Sequence, residues 1–161
     1  MSGAPLISVV IASRNRGALV ARLVAQLDAQ FLEAEAFEVI VVDDGSTVPV
    51  AAALESVHLR AAHEWVRIEW SGPAVARDTG VRHAHGEILM FLDDDMQVGP
   101  DFLQAVRTAH AATPRAVLLG HIVGDQEPGR LSIFERYHAR QLERWRQSVE
   151  GGGERPRGQD L

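Results

Sequence analysis

Apolar positions along the chain follow two alternating patterns, short continuous runs and stripes with helical spacing. Runs rich in β-branched residues, such as LISVVIA and FEVIVV, are typical of strands buried on both faces of a parallel sheet. With the alternating segment WVRIEW, they predict strands at 6–12, 37–42, 65–70, 87–92 and 116–123. Helical spacing or alanine-rich composition predicts helices at about 17–30, 50–62, 73–85 and 100–112. This alternation predicts an α/β fold with a Rossmann-like, mostly parallel sheet flanked by helices.

The pattern changes near residue 125, which predicts a domain at 4–125 followed by two further segments. Residues 126–150 are expected to form an amphipathic helical extension that is rich in arginine. Three roles remain open for the helix at 131–150: a peripheral membrane contact, a contact with another part of the protein, or a plain solvated helix. Residues 151–161 are rich in Gly, Arg and Pro, which predicts a disordered tail.

The composition excludes several classes of enzyme, because all 16 basic residues are arginine and cysteine is absent. Without lysine the chain cannot be a P-loop NTPase or a Schiff-base enzyme. Without cysteine it has no thiol nucleophile, disulfide or Cys-based zinc site. The net charge of −6 argues against nucleic acid as a partner. No apolar run is long enough to span a bilayer and no secretory signal is visible, so we expect a cytoplasmic protein, with the inner face of the membrane as a further option. The tryptophans at 65, 70 and 145 are interpreted as packing residues.

Polar side chains follow several predicted strands, at the edge where parallel α/β sheets bind their ligands. Ser13 and Asn15 follow the first strand. Asp43 and Asp44 follow the second strand, and three aspartates, Asp93–Asp95, follow the fourth. Adjacent carboxylates repel one another unless a cation or solvent compensates, and oxygen ligands alone favour a hard ion such as Mg²⁺ or Mn²⁺. The alternatives are a solvated acidic loop for the three aspartates and a turn or helix cap for Asp44.

Three segments together resemble the family 2 inverting glycosyltransferases, which have the GT-A type, nucleotide-diphospho-sugar transferase fold. The segments are SVVIASRNR, VIVVDDGS and GPAVARDTGVRHAHGEILMFLDDDMQVGPDFL, and the resemblance extends over about Leu6 to Leu119. It implies a metal-dependent enzyme that transfers a sugar from a nucleotide-diphospho-sugar to an unidentified hydroxyl acceptor with inversion. Negative charge grows on the diphosphate leaving group in such a reaction, and a metal ion with a nearby arginine stabilises that charge.

The resemblance implies that residues at the first two strand ends bind the nucleoside. Ala12, Ser13 and Asn15 would line the pocket of the base. Asp44, together with Asp43, would contact the nucleoside. In this role a carboxylate would accept a hydrogen bond from a base N–H or from a ribose hydroxyl.

The resemblance assigns the remaining residues to the diphosphate. Arg77 would lie near the donor, in an ARD segment where the family usually has ARN. Asp93 and Asp95 match the two acids of the DxD motif and are the expected metal ligands. Asp95 would bind the Mg²⁺ or Mn²⁺ that bridges the diphosphate. Asp93 or Asp94 would contact the ribose or the waters of the metal.

The general base of the family lies on a later acidic segment, often a Glu-Asp pair, and this chain departs from that pattern. No Glu-Asp pair follows Asp95, and Asp125, Glu127 and Asp160 stand in no matching context. We therefore expect either the donor-binding portion of a glycosyltransferase or a catalytically incomplete module that binds a nucleotide-sugar or a partner protein. A nucleotidyltransferase of similar fold is a weaker match, because the segment SRNRG lacks lysine.

Overall fold

The computed structural model describes residues 4–120 and five helical positions farther along the chain, 140, 141, 143, 144 and 147. The chain divides into two compact units, residues 1–116 and 117–161. The first unit contains the sheet. The predicted extension at 126–150, apart from those five positions, and the predicted tail at 151–161 lie outside the described residues.

Within residues 4–120, four parallel strands form a sheet in the order β3-β2-β1-β4. They are β1 (Ile7–Ser13), β2 (Phe37–Asp44), β3 (Ala62–Ile68) and β4 (Ile88–Asp93). In the register of the sheet, Ser13 pairs with Asp43 and Ala12 pairs with Asp93. The carboxyl ends of β1, β2 and β4 therefore lie at one level, and this edge of the sheet collects the polar side chains that follow the strands.

Helices cover both faces of the sheet, which confirms the predicted α/β class. They are α1 (Gly17–Asp28), α2 (Val50–Leu54), α3 (Pro73–His83) and α4 (Phe102–Ala112), with a 3₁₀ turn at Ala34–Ala36. Helix α3 begins at Pro73, where the missing N–H of proline leaves no helical hydrogen bond unmade. None of the helices in the described part of the chain is long and apolar enough to cross a membrane.

The core has a larger and a smaller layer, because side chains of β1 and β2 alternate between the two faces of the sheet. On one face Ile7, Val9 and Ile11 pack with apolar residues of α1, α2 and α4. On the other face Val10 packs with Ala76 of α3. Burial of these side chains removes apolar surface from water, at roughly 25 cal/mol per Å².

The two edge strands are more exposed than the two central strands. The apolar run EILMFL at 87–92 predicts a buried strand, but β4 is only partly buried, because Leu89 and Phe91 are 43% and 47% exposed. They pair with Ser8 and Val10, so they lie on the face that carries α3. Helix α3 contacts β1 and β2. It leaves the outer part of this face uncovered.

Helix α2 ends at Leu54 and is therefore shorter than the predicted helix at 50–62. High alanine content is only a weak preference, which tertiary contacts override. Here the backbone N–H of Arg60 donates a hydrogen bond of 2.7 Å to Asp28 Oδ1 at the end of α1. The segment after α2 is thereby tied to the end of α1, and β3 begins at Ala62 rather than at Trp65.

The predicted fifth strand at 116–123 is not formed in its described part. Residues 116–120 have no regular secondary structure, and Val117 is fully exposed. An apolar run becomes a strand only where it finds a neighbouring strand and a face to bury. Residues 121–123 lie outside the described residues.

Candidate functional site

An open cavity of about 460 Å³ lies at the carboxyl ends of the strands. Sequence reasoning predicted this location, and every predicted site residue except Asp43 lines the cavity. The lining also includes Arg14, Arg16, Trp70, Pro73 and Ala76. The cavity therefore contains both carboxylates and guanidinium groups, which is a suitable lining for an anionic ligand that carries a cation.

Asp44 forms the floor of the cavity at the end of β2, where its side chain is almost fully buried. The backbone N–H groups of Ser71 and Gly72 donate hydrogen bonds of 2.7 and 3.0 Å to its two carboxylate oxygens. The next residue, Gly45, has a φ of +67°, and a Cβ there would lie 2.7 Å from the backbone nitrogen of Trp70. Only glycine therefore allows the loop after β2 to approach the loop after β3 this closely.

Asp43 is buried, does not line the cavity, and organises the loop that follows it. Its carboxylate accepts hydrogen bonds from the backbone N–H groups of Ser46 and Val50, at 2.9 and 3.0 Å. Burial would raise the pKa of Asp43, but hydrogen bonds from Ser46 and Val50 and the charge of Arg67 outweigh burial and hold that pKa below its ordinary value. Asp43 is therefore placed to support the loop, and its predicted contact with the nucleoside stays a prediction.

Asn15 connects the first strand end to the second. It has a left-handed backbone with a φ of +57°, which asparagine tolerates better than most residues. Its backbone N–H donates to Ser46 Oγ at 2.8 Å, and its Oδ1 accepts from the backbone N–H of Thr47 at 2.8 Å. These reciprocal bonds hold the β1 loop against the β2 loop and fix the outline of the cavity.

The middle aspartate of the three, Asp94, has a different environment from its neighbours. Its side chain is only 7% exposed, and Oδ1 lies 2.9 Å from Arg16 Nη1. Oδ2 accepts a hydrogen bond of 2.7 Å from the hydroxyl of Ser13. Asp94 lines the cavity with both oxygens already engaged, and the alternative in which it contacts ribose stays a prediction.

The outer aspartates, Asp93 and Asp95, face the open cavity and are each 56% exposed. Asp93 pairs with Arg77 at 2.6 Å, and Asp95 pairs with Arg16 at 3.4 Å. Within the described residues, no group of three or more His, Cys, Asp or Glu side chains is arranged to hold a metal ion. Two exposed carboxylates on an open cavity nevertheless fit an ion such as Mg²⁺ or Mn²⁺, which takes its remaining ligands from phosphate and water.

Trp70 corrects the interpretation of the tryptophans as packing residues. It was placed in a strand at 65–70, but β3 ends at Ile68, whose partner Asp44 is the last residue of β2. Trp70 therefore lies in the loop, is 69% exposed and lines the cavity. Trp65 does pack against the core, and the tryptophan at 145 lies outside the described residues.

A parallel α/β sheet with its cavity at the carboxyl edge is a common arrangement among ligand-binding proteins. The fold and the cavity alone therefore do not identify the family of this chain. The sequence pattern of "Glycosyl transferase family 2" matches residues 8–152, and the chain belongs to this family. The resemblance inferred from the three sequence segments is confirmed.

Individual relatives agree with this assignment. The chain is 40% identical over 126 residues to the validoxylamine A glucosyltransferase of Streptomyces hygroscopicus subsp. jinggangensis, a match that covers 76% of the chain and 30% of the relative. Among solved structures, the mannosyltransferase PcManGT from Pyrobaculum calidifontis, in complex with GDP-Man and Mn²⁺, has a TM-score of 0.62 at 28% identity, over 68% of this chain and 33% of that one. TarS from S. aureus, in complex with UDP-GlcNAc, has a TM-score of 0.61 at 22% identity, over 72% of this chain and 38% of that one. The GT-A type fold is thus confirmed, and the chain spans about a third of the length of these proteins.

Proposed function

We propose that this chain is the donor-binding portion of a metal-dependent glycosyltransferase that acts on a nucleotide-diphospho-sugar and a hydroxyl acceptor, with inversion. The observation that carries the proposal is the single cavity that brings Asp44, Arg77 and Asp93–Asp95 together at the carboxyl edge of the sheet. Family membership supports it, as does the mannosyltransferase PcManGT, which was solved with GDP-Man and Mn²⁺.

Asp44 is proposed to bind the nucleoside. Its buried carboxylate is held by Ser71 and Gly72, so it cannot turn away from the cavity. Each carboxylate oxygen has lone pairs for a second hydrogen bond, which a base N–H or a ribose hydroxyl would donate. A fixed acceptor loses little conformational entropy when the ligand arrives, and this favours binding.

Asp93 and Asp95 are proposed to hold a divalent cation, and Arg77 is proposed to contact the diphosphate. A bound Mg²⁺ or Mn²⁺ would stabilise the negative charge that develops on the leaving diphosphate. Arg77 is placed at the same edge, because its guanidinium group lies 2.6 Å from Asp93. On ligand binding, this guanidinium would exchange its carboxylate partner for a phosphate oxygen, a geometry that arginine suits well.

The second candidate function is a nucleotide-sugar-binding module without turnover. In the described part of the chain, the acidic residues that line the cavity are Asp44 and Asp93–Asp95. Asp44, Asp93 and Asp95 have roles in donor binding under the proposal, and both carboxylate oxygens of Asp94 are engaged by Ser13 and Arg16. An inverting transfer needs a further base that deprotonates the acceptor hydroxyl. Assay of the chain alone for sugar-nucleotide hydrolysis and transfer separates the two functions, because steady transfer would reject the binding module.

Titration of the chain with UDP and GDP by calorimetry, with and without Mn²⁺, tests the donor site. We expect at least one nucleotide to bind, and Mn²⁺ to strengthen its binding by tenfold or more. Asp95→Ala should abolish the effect of Mn²⁺ while leaving the fold intact, because Asp95 is exposed. Asp101→Ala is a matched control, since Asp101 is also exposed and lies outside the cavity lining. Nucleotide binding that is unchanged by both Mn²⁺ and Asp95→Ala would overturn the site assignment.

A further inference from the structure

A row of side chains on helix α1 holds the loop after β4, which carries Asp94 and Asp95. Arg22 and Gln26 are four residues apart, so they lie on the same face of the helix. Arg22 Nη2 donates a hydrogen bond of 3.2 Å to the backbone oxygen of Asp95. Gln26 Oε1 accepts a hydrogen bond of 3.0 Å from the backbone N–H of Val98. The loop is therefore attached to α1 at two successive points.

Gln30, just beyond the end of α1, continues this row and is buried. Its Nε2 donates a hydrogen bond of 2.7 Å to the backbone oxygen of Gly99, and its Oε1 accepts one of 2.9 Å from the backbone N–H of Leu103. A buried amide with both ends bonded resists movement, because breaking either bond leaves a polar group without a partner. The segment from Asp95 to Leu103 is thus fixed along α1.

Arg16, at the start of the same helix, has a position that local preferences disfavour. It is the N-cap residue of α1, where short side chains that accept hydrogen bonds are preferred. A positive charge is also unfavourable there, because the helix dipole is positive at this end. The Arg16 guanidinium instead lies 2.9 Å from Asp94 and 3.4 Å from Asp95. A residue that breaks a local preference in order to contact a site is expected to serve that site.

The two arginines act on the residue that is proposed to bind the cation. Arg22 holds the backbone of Asp95, and Arg16 holds the buried carboxylate of the neighbouring Asp94. Metal ligands depend on such supporting contacts for their orientation. We propose that Arg16 and Arg22 are positioning residues that keep Asp95 oriented for the divalent cation, an inference that rests on the proposed function.

The charge of these arginines and their proposed role have opposite consequences for cation binding. By charge alone, removal of a guanidinium beside the aspartates strengthens Mn²⁺ binding, because a nearby positive charge is lost. Removal of a positioning residue weakens Mn²⁺ binding, because Asp95 must then be ordered when the cation arrives. Arg22 gives the clearer test, since it lies outside the cavity lining and its effect on a ligand there is indirect.

The first experiment measures Mn²⁺ binding to the chain by electron paramagnetic resonance, which detects the free ion directly. We expect Arg22→Ala and Arg16→Ala each to bind Mn²⁺ about fivefold more weakly, as the loss of one supporting hydrogen bond predicts. Arg22→Lys keeps a charged donor for the backbone oxygen of Asp95 and should recover most of the affinity. Arg82→Ala removes an arginine outside the cavity lining and is the control, with no change expected.

Nucleotide binding without Mn²⁺ separates positioning from a general loss of structure. Asp44, the proposed nucleoside contact, is held by Ser71 and Gly72, which belong to another segment than α1. Calorimetry of Arg22→Ala with UDP and GDP in the absence of Mn²⁺ should therefore give the affinities of the unmodified chain. A distorted cavity would instead weaken nucleotide and Mn²⁺ binding together.

Several outcomes would overturn this role of the arginines. If Arg16→Ala and Arg22→Ala bind Mn²⁺ as tightly as the unmodified chain, or more tightly, the two residues do not position Asp95. If nucleotide and Mn²⁺ affinities both fall in Arg22→Ala and neither recovers in Arg22→Lys, the row on α1 is a structural support. If the unmodified chain binds a nucleotide but not Mn²⁺, the cation site is wrong, and the role of the arginines with it. If it binds neither UDP nor GDP, the proposed function itself is wrong.

Discussion

The hydroxyl of Ser13 donates a hydrogen bond of 2.7 Å to the carboxylate of Asp94, which lies 81 positions later in the chain. This bond joins the end of β1 to the loop after β4, and Arg16 completes it with an ion pair of 2.9 Å to the other oxygen. Asp94 is buried, whereas Asp93 and Asp95 point into the open cavity. The middle acid thus anchors the loop, and the outer two, which form exposed ion pairs with Arg77 and Arg16, are accessible to a ligand.

Replacement of Asp94 is therefore expected to affect stability more than replacement of Asp95. Asp94→Ala leaves the Ser13 hydroxyl and Arg16 without their shared partner, and a lost hydrogen bond to a charged group costs about 1.5–3 kcal/mol. Asp95→Ala removes an exposed pair, which is worth at most about 1 kcal/mol. Urea denaturation of both variants measures the two free energies of unfolding. An equal loss in the two variants would show that Asp94 is not an anchor.

Arg77→Ala should change the affinities for cation and for nucleotide in opposite directions. The exposed pair of Arg77 with Asp93 competes with a cation for the same carboxylate, so its loss should tighten Mn²⁺ binding by up to about fivefold. The diphosphate would lose a charge-assisted hydrogen bond, so UDP or GDP with Mn²⁺ should bind about tenfold more weakly. Calorimetry with Mn²⁺ alone, and then with nucleotide, checks both signs.

Arg82→Ala is the matched control for this prediction. Arg82 lies on the same helix α3 and pairs with Asp78 at 2.9 Å, outside the cavity lining. Neither affinity should change in that variant beyond the small effect of removing one surface charge. If Arg77→Ala weakens Mn²⁺ and nucleotide binding together, exchange of the carboxylate for phosphate does not occur.

Glu38, at the opposite end of β2 from the site, makes the stability of the chain depend on pH. Burial would raise the pKa of Glu38, but hydrogen bonds from the Ser8 hydroxyl and the backbone N–H of His85, with the His85 ring, hold that pKa below its ordinary value. Because the folded pKa is lowered, the unfolded chain binds the proton more tightly. The contribution of Glu38 to stability is therefore complete above the ordinary glutamate pKa of about 4.3 and is lost as pH falls through the folded pKa.

Glu38→Gln tests this dependence without touching the cavity. The free energy of unfolding should fall at pH 7, and it should then decline less steeply below about pH 4.3 than in the unmodified chain. Denaturant titrations at a series of pH values give both quantities. Glu55→Gln removes the same charge from an exposed position and controls for net charge. Identical slopes for the unmodified chain and Glu38→Gln would contradict the assignment.

The location of the cavity was predictable because apolar periodicity indicates the order of strands and helices along the chain and the residue at which each strand ends. The parallel sheet then places Ala12, Asp44 and Asp93 at one edge without further information. What the sequence could not predict depends on contacts between distant segments. The alternation of WVRIEW runs to Trp70, but pairing with β2 ends two residues earlier, so an expected packing residue became part of the cavity wall.

The environments of the three consecutive aspartates also depend on contacts between distant segments. Their sequence does not indicate which of Asp93, Asp94 and Asp95 is buried and held by other side chains. That is decided by Ser13 and Arg16, which approach only when β1 and β4 pair. Likewise, the alanine-rich composition predicted a helix longer than α2. The hydrogen bond from Arg60 to Asp28 joins segments that are far apart in the sequence, so no local pattern indicates it.

Gly80 permits the close approach of α3 to the sheet. Whether its replacement by alanine raises or lowers the stability of the chain is expected to depend on Val10. A Cβ at Gly80 would lie 2.4 Å from Val10 Cγ1, which is too close for any real contact. Gly80→Ala should therefore destabilise the chain by about 1–3 kcal/mol, the usual cost of overpacking. In the background Val10→Ala the obstructing methyl group is absent, and alanine is about 1 kcal/mol better than glycine within a helix. There Gly80→Ala should be stabilising, and thermal or urea unfolding of the four chains measures the reversal. If Gly80→Ala has the same effect in both backgrounds, contact with Val10 is not what requires glycine at this position.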